Sequence, residues 1–237
     1  MSPEVLPAPA DKAAYVQGMF DRIAIGYDRV NDWMTGGLHR LWKRQLVRGL
    51  RPAPGDAALD LATGTGDLAL LLQRAVGPEG RTVGLDFSAG MLEIARARRS
   101  DGIEWLQGDM LALPFPDASF DVVTVGFGLR NVADLERALK EIARILKPGG
   151  RFGSLETARP RQAWMRAVVA LHSRLAPWLG RWMAGDDDAY RYLHASALAF
   201  VDQDTLAHTC RQVGLADVVV RDLSGGALAL VMGKRVG

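Results

Sequence analysis

The chain has 237 residues, 49% hydrophobic and 24% charged, which suits one large domain with a full core and excludes a disordered chain. A net charge of +2 and a pI near 8.8 are too weakly basic to argue for nucleic acid as a partner. The single cysteine, Cys210, excludes a disulfide within the chain and a cysteine metal site, and fits a reducing cytoplasm.

Residues 1–12 carry Pro3, Pro7 and Pro9 but neither a basic n-region nor an apolar h-region, so they read as a loose tail rather than a signal peptide. No run reaches the ~18 apolar residues of a spanning helix, so a membrane would be met from its surface. Residues 13–51 form a helical, aromatic cover (Tyr15, Phe20, Tyr27, Trp33, Trp42) broken at Thr35-Gly36-Gly37, and Arg51 to Asp56 is a turn. Alternation then begins. Ala57 to Ala62 is a first strand and Asp67 to Val76 a helix stopped by Gly77-Pro78-Glu79-Gly80. Arg81 to Asp86 is a second strand, and Ser88 caps a helix that turns Met91, Leu92 and Ala95 inward. Ile103 to Gln107 and Asp121 to Val125 are strands three and four. Asp134 to Leu146 is an amphipathic helix ended by Lys147-Pro148-Gly149-Gly150, and Arg151 to Glu156 is strand five. A tryptophan-rich helical insertion occupies 157–200, followed by a helix at Thr205 to Val213 and strands at Asp217 to Asp222 and Ala227 to Met232. The order predicts one α/β domain over 13–237. Its core is a doubly wound, mostly parallel seven-stranded sheet with an antiparallel C-terminal edge hairpin.

The segment Asp60-Leu61-Ala62-Thr63-Gly64-Thr65-Gly66-Asp67 joins strand one to its helix and exposes backbone N–H groups at a helix N-terminus. Asp86 arrives about 20 residues later at a strand end, where a carboxylate grips both hydroxyls of a ribose. A nucleotide-like ligand follows; the plain alternative is a tight turn shaped by glycine. Asp60 either orders the loop or receives a ligand ammonium. Gly64-Thr65-Gly66-Asp67-Leu68-Ala69 also satisfies a dinucleotide pattern, which makes an NAD enzyme the first rival. Against it, Gln107-Gly108-Asp109-Met110 sets an acid where an adenine amino group would lie, and no Tyr-x-x-x-Lys pair is present. With Lys147 to Gly150 and the terminal hairpin, the chain resembles a class I S-adenosylmethionine-dependent methyltransferase, whose fold is Rossmann-like.

A narrower resemblance spans almost everything after the tail. Met19 to Ala24, Tyr27-Asp28 and Asn31, Leu59 to Leu68, Gly84 to Ser88, Ala112 to Pro116 and Phe127-Gly128-Leu129-Arg130-Asn131-Val132 are similar to the quinone-biosynthesis C-methyltransferases. So are Tyr190 to Leu193 with Ser196, and Leu223 to Gly226. The resemblance implies methyl transfer from S-adenosylmethionine to a ring carbon of a prenylated quinol, in menaquinone or ubiquinone biosynthesis. It marks Thr65, Asp86, Asp109 and Met110 as donor-binding positions, beside Asp60, Gly64 and Gly66. A serine common in the family is Gly126 here, leaving a backbone contact. The usual third loop glycine is Ala62, a Glu-Phe-Ser is Glu156-Thr157-Ala158, and a histidine of the last strand is Val231.

Arg130 and Asn131 follow strand four, at the cleft end of such a sheet. A fixed guanidinium lowers the pKa of a nearby phenol, so Arg130 is expected to polarise the quinol or organise a water, and Asn131 to orient a ring oxygen. The alternative for both is a cap or salt bridge. Tyr27, Asp28 and His39 are weaker candidates, and His172, His194 and His208 lack metal spacing. No metal is expected, because the sulfonium's leaving group departs neutral. In the insertion, Trp164, Val168, Leu171, Leu175, Trp178 and Trp182 recur at helical spacing, and residues 157–185 hold Arg159, Arg161, Arg166, Arg174 and Arg181 with no acid. The insertion is expected to line the substrate mouth and to touch the inner face of a membrane peripherally, the plain alternative being a packed lid. The expected reaction is demethylmenaquinol to menaquinol; the motifs do not separate naphthoquinol from benzoquinol, and the alternatives are the benzoquinol, another apolar phenolic acceptor, and a catalytically silent donor-binding scaffold, with a homodimer also open.

Overall fold

The apolar run from Ala57 becomes a strand because it is buried on both faces: Ala58 packs into one helix layer, Leu59 and Leu61 into the opposite one. In the computed structural model, which describes residues 6–8, 11–98, 102–166, 169–170 and 187–237, this strand β1 (Ala57–Leu61) lies inside a seven-stranded sheet. It pairs in parallel with β2 (Arg81–Asp86) and with β4 (Phe120–Gly126), Leu59 facing Val83 on one side and Val123 on the other. Strand β3 (Ile103–Gln107) continues beyond β2, and β5 (Leu146–Thr157) beyond β4, both parallel. Strand β7 (Leu228–Arg235) runs antiparallel to β5, and β6 (Leu215–Leu223) closes the edge against β7, giving the order β3-β2-β1-β4-β5-β7-β6. The expected mostly parallel sheet with an antiparallel terminal hairpin is what the chain forms.

On one face, α2 (Leu38–Leu50) and α3 (Asp67–Val76) bring Trp42, Leu46, Leu68 and Leu72 against Ala58, Val122 and Leu155. On the other, α5 (Leu135–Ile145) and α7 (Gln203–Gln212) bring Leu139, Ile142, Leu206 and Cys210 against Leu59, Val123 and Phe152. A third cluster joins α1 (Lys12–Thr35), α4 (Ala89–Ala97) and α6 (Asp187–Ala199) through Met19, Ile23, Met91 and Tyr192. The strand order reverses between β1 and β4, and a doubly wound sheet opens its cleft there, at the carboxyl ends of the strands.

Two expectations need correction. Strand five starts at Leu146, read from the sequence as the last residue of the helix, and runs through the Lys147–Gly150 motif read as a stop: Leu146 pairs with Phe120, and the register shifts before Val122 meets Arg151. Pro148 lies between the paired residues Leu146 and Arg151, where no ladder partner needs its missing donor, and Gly149, at φ +75°, takes the bulge. The tail is also shorter than expected, since Lys12 already opens α1. Of the insertion, Thr157 belongs to β5 and Asp187–Ala199 is α6; Val168, Leu171, His172, Arg174, Leu175, Trp178, Arg181 and Trp182 lie outside the described residues.

Candidate active site

The chain leaves β1 and enters α3 through left-handed backbone at Ala62 (φ +49°), Gly64 (+55°) and Gly66 (+90°). Ala62 therefore occupies a conformation that glycine adopts more readily, which is the reason a glycine serves at this place in related loops. Asp60 lies beneath the turn, buried. Its two carboxylate oxygens accept from the Thr63 hydroxyl (2.6 Å) and the Thr124 hydroxyl (2.7 Å), and burial pushes its carboxyl up to about 6. One oxygen braces the loop and the other ties β1 to β4, and Asp60 stands outside the lining of the cavity that opens above it. Thr65 and Gly66 also stand outside that lining. The Thr65 hydroxyl donates to Asp28 Oδ1 (2.7 Å), and a side chain on Gly66 would strike the Trp105 ring at 2.5 Å.

The cavity lies at the strand tips and is lined on its floor by Gly64, Asp86, Asp109, Met110, Gly126 and Asn131. At the end of β2, Asp86 Oδ2 accepts from Gly64 N–H (2.7 Å) and Oδ1 from Ser88 N–H (2.9 Å). Burial raises its pKa, and the two amides pull against that rise. Each oxygen keeps a further lone pair for a ligand hydroxyl. Ser88 performs its expected cap, accepting from Met91 N–H (3.1 Å). Asp109 Oδ1 accepts from Leu111 N–H (2.8 Å), and Met110 is buried at the wall. A side chain at Gly126 would lie 2.7 Å from Leu68 Cδ1, so the leucine tip would have to shift to admit one.

Helix α1 forms the roof with Val16, Gln17, Phe20 and Tyr27. Three of its polar residues tie it across the cleft. Lys12 Nζ donates to the carbonyls of Arg130 (3.1 Å) and Val132 (2.7 Å); Asp21 accepts from the Ser88 hydroxyl and from Gly90 N–H (3.0 Å); Asp28 accepts from Thr65. Burial lowers the Lys12 pKa. The sequence does not single out Lys12, and Asp21 enters only as part of Met19 to Ala24, without a site role, although Asp21 and Asp28 are seven residues apart, two turns along one helix face. His39 lies away from the cavity, buried against Asp32 (2.8 Å).

Arg130 departs from its expected place. Its guanidinium does not line the cavity; Nη1 bonds Glu156 Oε2 (3.0 Å) in a pair 9% and 3% exposed, and the charge lies 5.3 Å from the Phe127 ring centre. The other Glu156 oxygen accepts from Leu129 N–H (2.8 Å), and burial raises the Glu156 pKa although Arg130 opposes it. Phe127 holds the turn at φ +59°. Around this pair are buried polar atoms with no hydrogen-bond partner among the described residues: Arg130 Nε, Asn131 Oδ1, Thr157 Oγ1 and Tyr192 OH. Asn131 reaches the cavity, while its Nδ2 donates to Phe127 O (3.3 Å). Burial pushes the Tyr192 hydroxyl up to about 12, with Arg130 pulling it down, so at neutral pH it is a donor rather than a base. The Cys210 thiol, buried and pushed up to about 12, is no nucleophile.

A model of the ubiE/COQ5 methyltransferase family matches residues 9–235. A ubiquinone/menaquinone biosynthesis C-methyltransferase UbiE of Xanthomonas campestris pv. campestris is 41% identical, covering 97% of this chain and 93% of that one. A demethylmenaquinone methyltransferase of Desulfitobacterium hafniense is 41% identical, covering 95% and 91%. Among solved structures, a SAM-dependent methyltransferase from Thermotoga maritima aligns with a TM-score of 0.68 at 24% identity, over 92% of this chain and 99% of that one. The [4+2]-cyclase SpnF aligns with 0.69 at 20% identity, over 98% and 99%. Likeness at that identity carries the fold alone, and a cyclase on it illustrates that the fold does not choose the reaction. The match over nearly the whole chain does: the protein belongs to the ubiE/COQ5 methyltransferase family and is a C-methyltransferase.

Proposed function

We propose that the chain transfers a methyl group from S-adenosylmethionine to a ring carbon of a prenylated naphthoquinol, converting a demethylmenaquinol to a menaquinol. The observation that carries this reading is the two-sided cavity, polar at the strand tips and apolar under α1. The residues present fit the donor. Asp86 faces the cavity with lone pairs free of Gly64 and Ser88, Gly64 has open space above it, and Asp109, Met110, Phe87 and Leu111 would wall a purine. When bound, S-adenosylmethionine supplies an electrophilic methyl on a sulfonium whose leaving group departs neutral.

The chain's own residues do the remaining work. Phe20, Tyr27, Val132 and Met91 exclude water and offer an apolar bed to the acceptor ring. Asn131 Oδ1, buried and unpartnered, would accept from a ring hydroxyl and hold the ring in one orientation. Arg130 acts from behind it. Held by Glu156, its charge stays fixed near Asn131 and Tyr192 and favours a developing phenolate without entering the cavity. The names of the relatives cover both menaquinone and ubiquinone biosynthesis, and we take the naphthoquinol. Mass spectrometry of quinones from cells lacking this protein tests the choice. Accumulated demethylmenaquinone supports it, an accumulated benzoquinone precursor transfers the activity to ubiquinone biosynthesis, and an unchanged quinone pool removes the reading.

A further inference from the structure

Among the described residues, five of the eleven large apolar side chains that stay exposed fall within 25–41: Ile25, Trp33, Met34, Leu38 and Leu41. Ile25 is 88% exposed and Trp33 48%. Trp33, Met34, Leu38 and Leu41 flank the elbow where α1 ends at Thr35, the chain turns through Gly36 and Gly37 at φ +56° and +76°, and α2 begins at Leu38, while Ile25 lies further back along α1. Ile25, Arg29 and Trp33 recur at four-residue spacing on the outer stripe of α1, opposite the stripe of Val16, Phe20 and Tyr27 that roofs the cavity. On α2, Leu41, Arg44 and Arg48 make the matching exposed stripe.

The charges there are sorted by sign. The acids of α1 are all partnered: Asp21 on Ser88 and Gly90, Asp28 on Thr65, and the half-exposed Asp32 on buried His39 and on exposed Arg40, whose charge it neutralises. Residues 33–48 contain no acid at all. Arg29, Arg44 and Arg48 are exposed and have no ion-pair partner among the described residues. The described residues of 157–185, the segment expected to meet a membrane, differ. There Arg161 is held by Asp204 and Asp222, and Arg166 by the carbonyl of Arg161. Unpaired arginines interleaved with exposed tryptophan, methionine and leucine match an anionic lipid surface, which offers phosphate to the cations and acyl chains to the apolar tips.

We propose that the α1–α2 elbow docks the protein on an anionic bilayer, with the cavity roof as the back of the docking helix. This rests on the quinol reading for its purpose, since a prenylated acceptor resides in the bilayer, but the two are measured separately. Flotation with the full chain uses vesicles of phosphatidylglycerol mixed with phosphatidylcholine, and of phosphatidylcholine alone. The wild type is expected on the anionic vesicles. Combined R29Q, R44Q and R48Q should weaken binding about fivefold per arginine, on the order of 100-fold together. Combined W33S, L38S and L41S should weaken it about tenfold or more. Calorimetry with S-adenosylhomocysteine, unchanged in both variants, shows that they are folded.

Absence of wild-type binding, or equal binding by the variants and the wild type, overturns the proposal. So does loss of binding in W164S alone, which moves the contact to 157–185. A dimer in sedimentation that only the apolar variant dissolves overturns it in favour of a second copy. Failure to methylate a detergent-solubilised quinol, with flotation intact, removes the quinol reading and leaves the docking surface standing.

Discussion

Replacing Glu156 by alanine leaves the Arg130 guanidinium buried with no carboxylate and the Leu129 amide with no acceptor. Breaking a buried pair from one side costs about 3–5 kcal/mol. With an unfolding entropy of about 2.1 cal/mol/K per residue, 237 residues give about 0.5 kcal/mol per degree, so the melting temperature should fall by about 6–10 °C. Replacing Arg130 by methionine removes the other half and is not symmetric. A guanidinium keeps its charge, whereas Glu156, its pKa already raised by burial, can take a proton and become neutral. The folded carboxyl then holds its proton above the pH at which the unfolded one releases it. Stability is therefore full below the unfolded pKa and lost as pH rises through the folded one. R130M should lie close to the wild type in mild acid and lose stability toward neutral pH more steeply than the wild type, while E156A is destabilised throughout. Differential scanning fluorimetry across pH, with calorimetry on the purified variants, measures both. Equal losses for the two variants at every pH would refute the buried pair as the support of this turn.

Three further outcomes follow from the same geometry. D86N keeps one acceptor but turns an amide N–H toward either Gly64 N–H or Ser88 N–H, so titration calorimetry should show S-adenosylhomocysteine bound about 10- to 100-fold more weakly; a change within about twofold would separate Asp86 from the donor. Asp60, raised from 3.8 to about 6, keeps its proton in the folded state over the range in which the unfolded carboxyl loses it, so its own contribution to stability should fall by about 3 kcal/mol as pH rises from about 4 to 6. D60N should remove that much of the pH dependence of the melting curves between about pH 4 and 6, Asp86 and Glu156 keeping their own share, and a profile identical to the wild type would place the titration elsewhere. K12M releases the start of α1 from the carbonyls of Arg130 and Val132, so the acceptor KM should rise about tenfold with donor Kd within about twofold; equal movement of both constants would make the roof a donor clamp instead.

The boundaries of β2, β3 and α3 were legible because glycine, proline and a strand-end acid punctuate them, and because period changes from 2 to 3.6 across them. Asp86 was legible for the same reason, as a carboxylate at a fixed interval from a glycine turn. The start of β5 was not, since Pro148 and Gly149 read as a stop, while the backbone stays extended through a bulge whose partner, Phe120, is distant in sequence. Arg130 shows the wider difficulty. Its place at the cleft end of β4 could be read, but the direction of its side chain depends on Glu156, on a neighbouring strand, where Gly126 and Leu155 share register. Thr65 turns away from the cavity because Asp28, on a helix that precedes the sheet, claims its hydroxyl. Contacts across such sequence distances leave no local pattern. The charge sorting of α1 and α2 did leave one, an acid-free stretch over 33–48, whose meaning needed the exposure of Trp33, Leu38 and Leu41 beside it.

The most direct measurement incubates the purified chain with methyl-labelled S-adenosylmethionine and a reduced naphthoquinol bearing a prenyl tail, and locates the label by NMR and mass spectrometry. A labelled methyl bonded to the ring carbon, with one equivalent of S-adenosylhomocysteine released, is the expected product. A label on a ring oxygen, or no label from a chain that still binds S-adenosylhomocysteine, would contradict quinol C-methylation in this cavity.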